Sequence, residues 1–379
     1  MSVPTTKSSG GGTTGSNRNE DDDDADGSDV MLVHDMKQMG MRHLQRPPLN
    51  VVMAIYDLFN KIEKRDPPSN TKTIHLRLIT IRVSHYNEKA RWALDLLEDD
   101  DTTTESPYYY TEDCHPAGFQ AFESIRASKG QASATPMVID GETEHVYIKS
   151  DSILRQYCPN LLYPTPYKSD IEQFEDDLGD RLGPAVRTYA YGHLLTKEYF
   201  PALVPMNTGP ECSVIENILF PYMRTMIGPT LQKTLQINDA SVQLSKDTIQ
   251  SVFGDVEKRL KNGKQQQYLF GDTFTAADLT FAALASPLLR PPELEAFQAP
   301  LSQLPPDMID FVKTLQSSPA GQHALRMYRF HRLGGHGPSN GRTVQIKCTP
   351  RNRIPWMAAM GVVAACTAVT AVAATKLVA

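Results

Sequence analysis

At 379 residues the chain has room for about two ordinary domains plus tails, and its 40% hydrophobic content is enough for packed cores. The net charge of −6 is segregated along the chain, so it points to no nucleic-acid partner. Five cysteines, at 114, 158, 212, 348 and 366, include no Cys-x-x-Cys pair, and no secretory signal opens the chain; reduced thiols on the cytosolic side account for them, and no metal set stands out.

Residues 1–48 begin as a Ser-, Thr- and Gly-rich tail with a concentrated acidic run, Glu20 to Asp24, Asp26 and Asp29. Such a stretch buries too little apolar surface to offset chain entropy, so it reads as disordered, and its acidity excludes a transit peptide. Residues 49–66 follow Pro47-Pro48 and put Val51, Ile55, Leu58, Phe59 and Ile62 on one side, the pattern of an extra amphipathic helix. Packing on the globular body or lying on a membrane surface would each cover that stripe.

From residue 73 the period changes twice. Ile74, Leu76, Leu78 and Thr80 alternate with His75, Arg77 and Ile79 as in a strand. Beyond Glu88, the residues Ala90, Ala93, Leu94 and Leu97 recur at helical spacing. Between them, Val83-Ser84-His85-Tyr86-Asn87 delivers a hydroxyl to the positive end of a helix. That is a place for an anion, and a thiolate is an anion. The plainer role of Ser84 is a helix cap, its oxygen satisfying an orphan N–H. Tyr108 to Thr111 is a second strand, residues 112–134 form a polar segment, Thr135-Pro136 leads into a strand from Met137, and Lys149-Ser150-Asp151 starts a helix.

A Pro-rich linker at 161–166 precedes a helical region with Gly and Pro interruptions near 201–210 and 287–306. Within it, Thr275-x-x-Asp278 has the form of a capping box ahead of Leu279, Phe281 and Leu284. No Asp or Glu follows Asp310, whereas arginines and Lys347 accumulate up to Arg353. Trp356 to Thr375 then runs 20 residues without a charge. A helix of that length is about 30 Å long and spans a bilayer core, although a buried Ala-rich helix has the same composition. Basic residues before the span, with Trp356 at its edge, place the upstream body on the cytosolic side.

Ser-His-Tyr-Asn-Glu-Lys-Ala-Arg-Trp-Ala-Leu from Ser84, Lys-Ser-Asp-Ser-Ile-Leu-Arg from Lys149, and above all Phe-x-Gly-Asp-x-Phe-Thr-x-Ala-Asp-Leu from Phe270 resemble motifs of the glutathione S-transferases. The resemblance covers about 73–335 and implies an α+β thioredoxin-like, glutathione-binding domain at 73–160 and an all-α domain at 166–335. A basic linker at 336–353 and a C-terminal transmembrane tail anchor at 354–375 would follow. It implies glutathione as co-substrate and a hydrophobic electrophile as its partner, with a homodimer left open. Ser84 becomes the thiol-activating residue, with Tyr86 as reserve donor. Thr135 and a cis Pro136 present the backbone of Met137 to the glutathione cysteine, and Ser150 and Asp151 hold its γ-glutamyl end. Lys149 stands where the family has Gln or Glu. His115 and Lys129 are candidates for a basic contact to the peptide, Asp278 is a folding residue, and residues 200–245 are expected as loops over the electrophile pocket.

Thiol transfer is disfavoured because neither Ser84 nor Asn87 is cysteine. A rival reading is a non-enzymatic, tail-anchored adaptor on the same fold, similar to the ganglioside-induced differentiation-associated proteins. Among organelles the mitochondrial outer membrane is favoured for the anchor.

Overall fold

The computed structural model describes residues 74–98, 107–262, 267–333 and 341–348. The expected acidic tail, the amphipathic helix at 49–66 and the apolar span at 354–375 all lie outside them. Among the described residues, no helix is long and apolar enough to cross a membrane.

The alternation read from residue 74 becomes β1 (Ile74–Ile81), and the helical period becomes α1 (His85–Glu98). Then follow β2 (Tyr108–His115), α2 (Gln120–Ala127), β3 (Met137–Asp140), β4 (Val146–Ile148) and α3 (Ser150–Tyr157). The strands form one sheet in the order β2-β1-β3-β4. β1 runs parallel to β2 and antiparallel to β3, and β3 and β4 are antiparallel neighbours. Parallel strands need a crossover, which α1 supplies. Leu76 and Leu78 face α1 and the main core, while Ile79 joins Met137 and Ala132 in a smaller cluster on the other face. The polar segment at 112–134 thus contains half of a strand and a helix. Its charges hid both: Glu112, Asp113, His115 and Glu123 are almost fully buried and paired rather than solvated.

After the short α4 (Pro159–Leu162), the helical region comprises α5 (Lys168–Leu194), α6 (Phe200–Asn207), α7 (Val214–Leu219), α8 (Arg224–Thr234) and α9 (Asp239–Asn262). It ends with α10 (Ala276–Leu289), α11 (Pro306–Ser317) and α12 (Pro319–His331). α10 is buried around almost its whole circumference and packs against α5, α12 and α1. Asp278 completes the capping box, accepting from the Thr275 amide at 3.1 Å, and additionally holds the Leu269 amide and His323, each at 2.9 Å.

One expectation is corrected. Residues 200–245 are mostly helical rather than looped: Pro201 falls in the first turn of α6, where a missing N–H costs little, and Pro205 removes at most one bond from so short a helix. Of the basic linker expected at 336–353, residues 341–348 are described. Residues 341–348 pack on the body, Val344 being 2% exposed, and the Lys347 carbonyl accepts from the Glu112 amide on edge strand β2 at 2.8 Å. The Lys347 ammonium meets Asp95 at 2.7 Å and Glu98 at 2.6 Å, a charge pairing that overrides the linker-like composition.

α2 is tied to the sheet by Glu123. Burial alone would raise its pKa, but Arg77 on β1 and Arg126 together hold it at about 2, below its ordinary 4.5. A depressed carboxylate pKa contributes stability that is complete above the unfolded value and disappears as pH falls through the folded one. Unfolding midpoints followed from pH 5 to pH 2 should therefore fall steeply for the native chain and less steeply for Glu123→Gln.

Candidate functional site

Strand register brings three separate segments to one edge of the sheet. Ile79 near the end of β1 lies opposite Met137 at the start of β3, and Met137 lies opposite Ile148 at the end of β4. The turn after β1, the loop before β3 and the start of α3 therefore gather at one place. Two bonds hold them together. Asn87 Nδ2 donates to the Ile81 carbonyl at 3.0 Å and to Thr135 Oγ1 at 3.4 Å, tying the turn to the loop. The Lys149 amide donates to the Pro136 carbonyl at 3.2 Å, tying the loop to α3. Sequence reading did not single out Asn87, a fully buried amide in the first turn of α1.

Ser84 is half-buried directly before α1. Its amide donates to the Ile81 carbonyl at 3.2 Å and its carbonyl accepts from Glu88 at 2.9 Å. Among the described residues its hydroxyl has no hydrogen-bond partner, so the side chain does not act as the helix cap. Tyr86 is elsewhere. Its ring packs on α5, its hydroxyl donating to the Gly179 carbonyl at 3.5 Å, and a Cβ on Gly183 would come within 2.1 Å of that oxygen. One residue along a helix turns the side chain by about 100°, so Tyr86 projects from α1 in a different direction from Ser84.

The Thr135-Pro136 bond is cis, and Pro136 and Met137 are buried. Ser150 is 5% exposed at the first position of α3, with Asp151 half-buried beside it. Neither side chain makes a hydrogen bond within the described residues, and the first amides of a helix have no intrahelical acceptor. An anionic group fits that helix start through N–H donors and the helix dipole. Lys149 has an exposed side chain and sits at φ 75°, ψ 146°, close to a region that is essentially reserved for glycine.

The two basic candidates differ in accessibility. His115 is 1% exposed, with Nδ1 at 2.7 Å from Glu216 and Nε2 at 3.0 Å from Asp113, so it is withdrawn from any ligand. Lys129 is exposed in the turn after α2.

Residues 222–320 match the family model of the glutathione S-transferase C-terminal domain. No curated protein matches the chain. Among solved structures, a glutathione S-transferase of Ceriporiopsis subvermispora in complex with glutathione is 15% identical, with 67% of this chain and 95% of that one covered at a TM-score of 0.40. Glutathione transferase URE2P8 of Phanerochaete chrysosporium, with oxidized glutathione, is also 15% identical over 69% and 97% at 0.38. Ure2p in complex with S-hexylglutathione is 17% identical over 66% and 98% at 0.37.

Non-glycine residues in such backbone conformations cost about 1–3 kcal/mol. Lys149→Gly should raise unfolding stability by about 1 kcal/mol, the relief less the extra chain entropy of glycine. Lys149→Ala, which keeps a Cβ, should leave the urea midpoint within error.

Proposed function

We propose that the chain is a glutathione transferase-like protein that conjugates the glutathione thiolate to an electrophilic carbon at a membrane surface. The observation that carries this reading is the Ser84 hydroxyl, uncommitted to the surrounding backbone, at the start of α1 and at the sheet end where the cis-proline loop and α3 converge. The transferase family match over residues 222–320 supports it independently of the site.

In this reading the sheet half binds the peptide. Thr135 and Pro136 set the loop so that the Met137 backbone meets the cysteine unit of glutathione. The Ser150 hydroxyl and amide take the γ-glutamyl carboxylate, and Asp151 faces its ammonium. Lys149 contributes backbone geometry rather than its side chain. A free thiol has a pKa of about 8.5 and is mostly protonated at neutral pH. A hydroxyl donor and the positive end of α1 both favour the thiolate, lowering that value and supplying the nucleophile. The thiolate sulfur attacks the electrophilic carbon, the leaving group departs with the bonding pair, and the displaced thiol proton goes to solvent.

Removing one hydrogen-bond donor to a reacting anion costs about 10²-fold in rate. Ser84→Ala should thus lower conjugation of a chlorodinitrobenzene by about that factor while leaving the unfolding midpoint unchanged; an undiminished rate removes Ser84 from the role. Tyr86→Phe should leave the rate nearly intact.

The anchor at 354–375 is part of the proposal. The native chain should sediment with membranes after carbonate extraction, whereas a chain ending at Arg353 should remain in the supernatant. Equal behaviour of the two would remove the anchor.

A further inference from the structure

The end of β2 is covered by a segment of the helical half, and three contacts define the seam. His115 Nδ1 lies 2.7 Å from Glu216 of α7, and the Ala117 amide donates to Asn207 Oδ1 at 3.2 Å. At the same seam the Cys114 and Cys212 thiols are in hydrogen-bond contact. Cys114 lies opposite Thr80 of β1 and Cys212 in the turn before α7, and both are almost fully buried.

A further thiol reaches the seam from residues 341–348. The Lys347 carbonyl accepts from the Glu112 amide, two residues before Cys114, and Cys348 Sγ donates to the Glu211 carbonyl at 3.7 Å. That oxygen belongs to the peptide unit joining Glu211 to Cys212, and in a trans peptide it stands about 2.8 Å from the following Cα. Cys348 Sγ therefore lies within about 6.5 Å of the Cys212 Cα. The thiols differ in access, Cys348 being half-buried. The contact with Cys114, and then burial, push the Cys212 thiol well above its ordinary value, so it is not the one an oxidant meets first. Cys158 is the internal comparison: burial alone pushes it up to about 12, and its Sγ faces the Ala93 carbonyl at 3.4 Å.

We propose that Cys348, Cys212 and Cys114 form a thiol relay that turns oxidation by a hydroperoxide into a disulfide between the sheet and the helical half. The Cys348 sulfur attacks a peroxide oxygen; an S–O bond forms, the O–O bond breaks and, with hydrogen peroxide, water leaves with the thiol proton. The Cys212 sulfur then attacks the Cys348 sulfur, and the sulfenic oxygen departs as a second water carrying the Cys212 proton. Proximity offsets the small thiolate fraction of Cys212. Last, Cys114 attacks the Cys212 sulfur, and Cys348 leaves as a thiol with the Cys114 proton. The net change is two thiols oxidised by two electrons and one peroxide reduced to two waters. The relay is independent of the glutathione reading.

The test titrates hydrogen peroxide into the reduced full chain, native and as Cys348→Ser, Cys114→Ser and Cys158→Ser, and maps cross-links by mass spectrometry after alkylation without reduction. The folded native chain should give Cys114–Cys212 as its main cross-link, and the urea-denatured chain a mixture of pairs. Cys348→Ser should slow the cross-link about tenfold or more, Cys114→Ser should stop at a Cys212–Cys348 disulfide, and Cys158→Ser should match the native chain. Absence of the Cys114–Cys212 cross-link from the oxidised native chain, the same mixture with and without urea, or an undiminished rate in Cys348→Ser overturns the relay. Mapping of the native chain requires no substitution, so it decides the question even where a variant fails to fold.

Discussion

Glu88, Arg91, Glu112 and Arg332 are each withdrawn almost completely from water, and no buried charge is tolerated unless it is neutralised. They neutralise one another across the junction between sheet and helices. Arg91 Nε meets Glu112 at 2.8 Å and its Nη1 meets Glu88 at 2.8 Å, while Arg332 Nε, just beyond α12, meets the same Glu88 at 2.6 Å. Thr80 on β1 donates to Glu112 at 2.6 Å. Burial raises the cost of any alternative pairing, so the cluster permits one arrangement of the two halves. A sliding apolar interface would permit several.

That constraint reaches the site through α1. Glu88 and Arg91 hold its outer side, and Lys89 forms a second buried pair with Glu175 on α5 at 2.7 Å. Glu175 in turn binds Arg155 of α3 at 3.1 Å and the Tyr163 hydroxyl at 2.8 Å. One carboxylate therefore connects α1, α3 and α5, and the first two of these helices begin at the candidate site. The turn bearing Ser84 is fixed from its other end too: Arg82 donates to the Met206 carbonyl at 2.8 Å and stacks over Phe297 at 4.8 Å. The backbone that carries Ser84 is therefore fixed by buried bonds on both sides, which on the reading proposed above is a condition for electrostatic preorganisation.

How legible this was in the sequence follows from where charges end up. β1, α1 and the capping box at Thr275 were readable because period and local bonding alone specify them. The segment at 112–134 was not, because Glu112, Asp113, His115 and Glu123 look like solvated residues until their partners, distant in sequence, are known. The convergence of Ser84, Pro136 and Ser150 was accessible only through a family resemblance, since no local rule gives strand order. Tyr86 shows the limit of proximity in sequence: it lies two residues from Ser84, yet glycines almost 100 positions later determine where it points.

The packed segment 341–348 bears on how a body of this kind meets a membrane. Cys348 Sγ donates to the Glu211 carbonyl at 3.7 Å, and the Glu211 carboxylate pairs with Arg82 at 3.3 Å, two residues before Ser84. Cys348, the last described residue, is thus linked through Glu211 to Arg82. On the anchored reading proposed above, the few residues between Cys348 and the apolar span set a short tether, reaching at most about 3.5 Å per residue. Arg351 and Arg353 fall within it, where anionic headgroups attract them. On that reading the part of the body around Cys348 and Glu211 would lie close to the bilayer. An apolar electrophile partitions into lipid, so proximity to the surface raises its local concentration without any additional contact in the pocket.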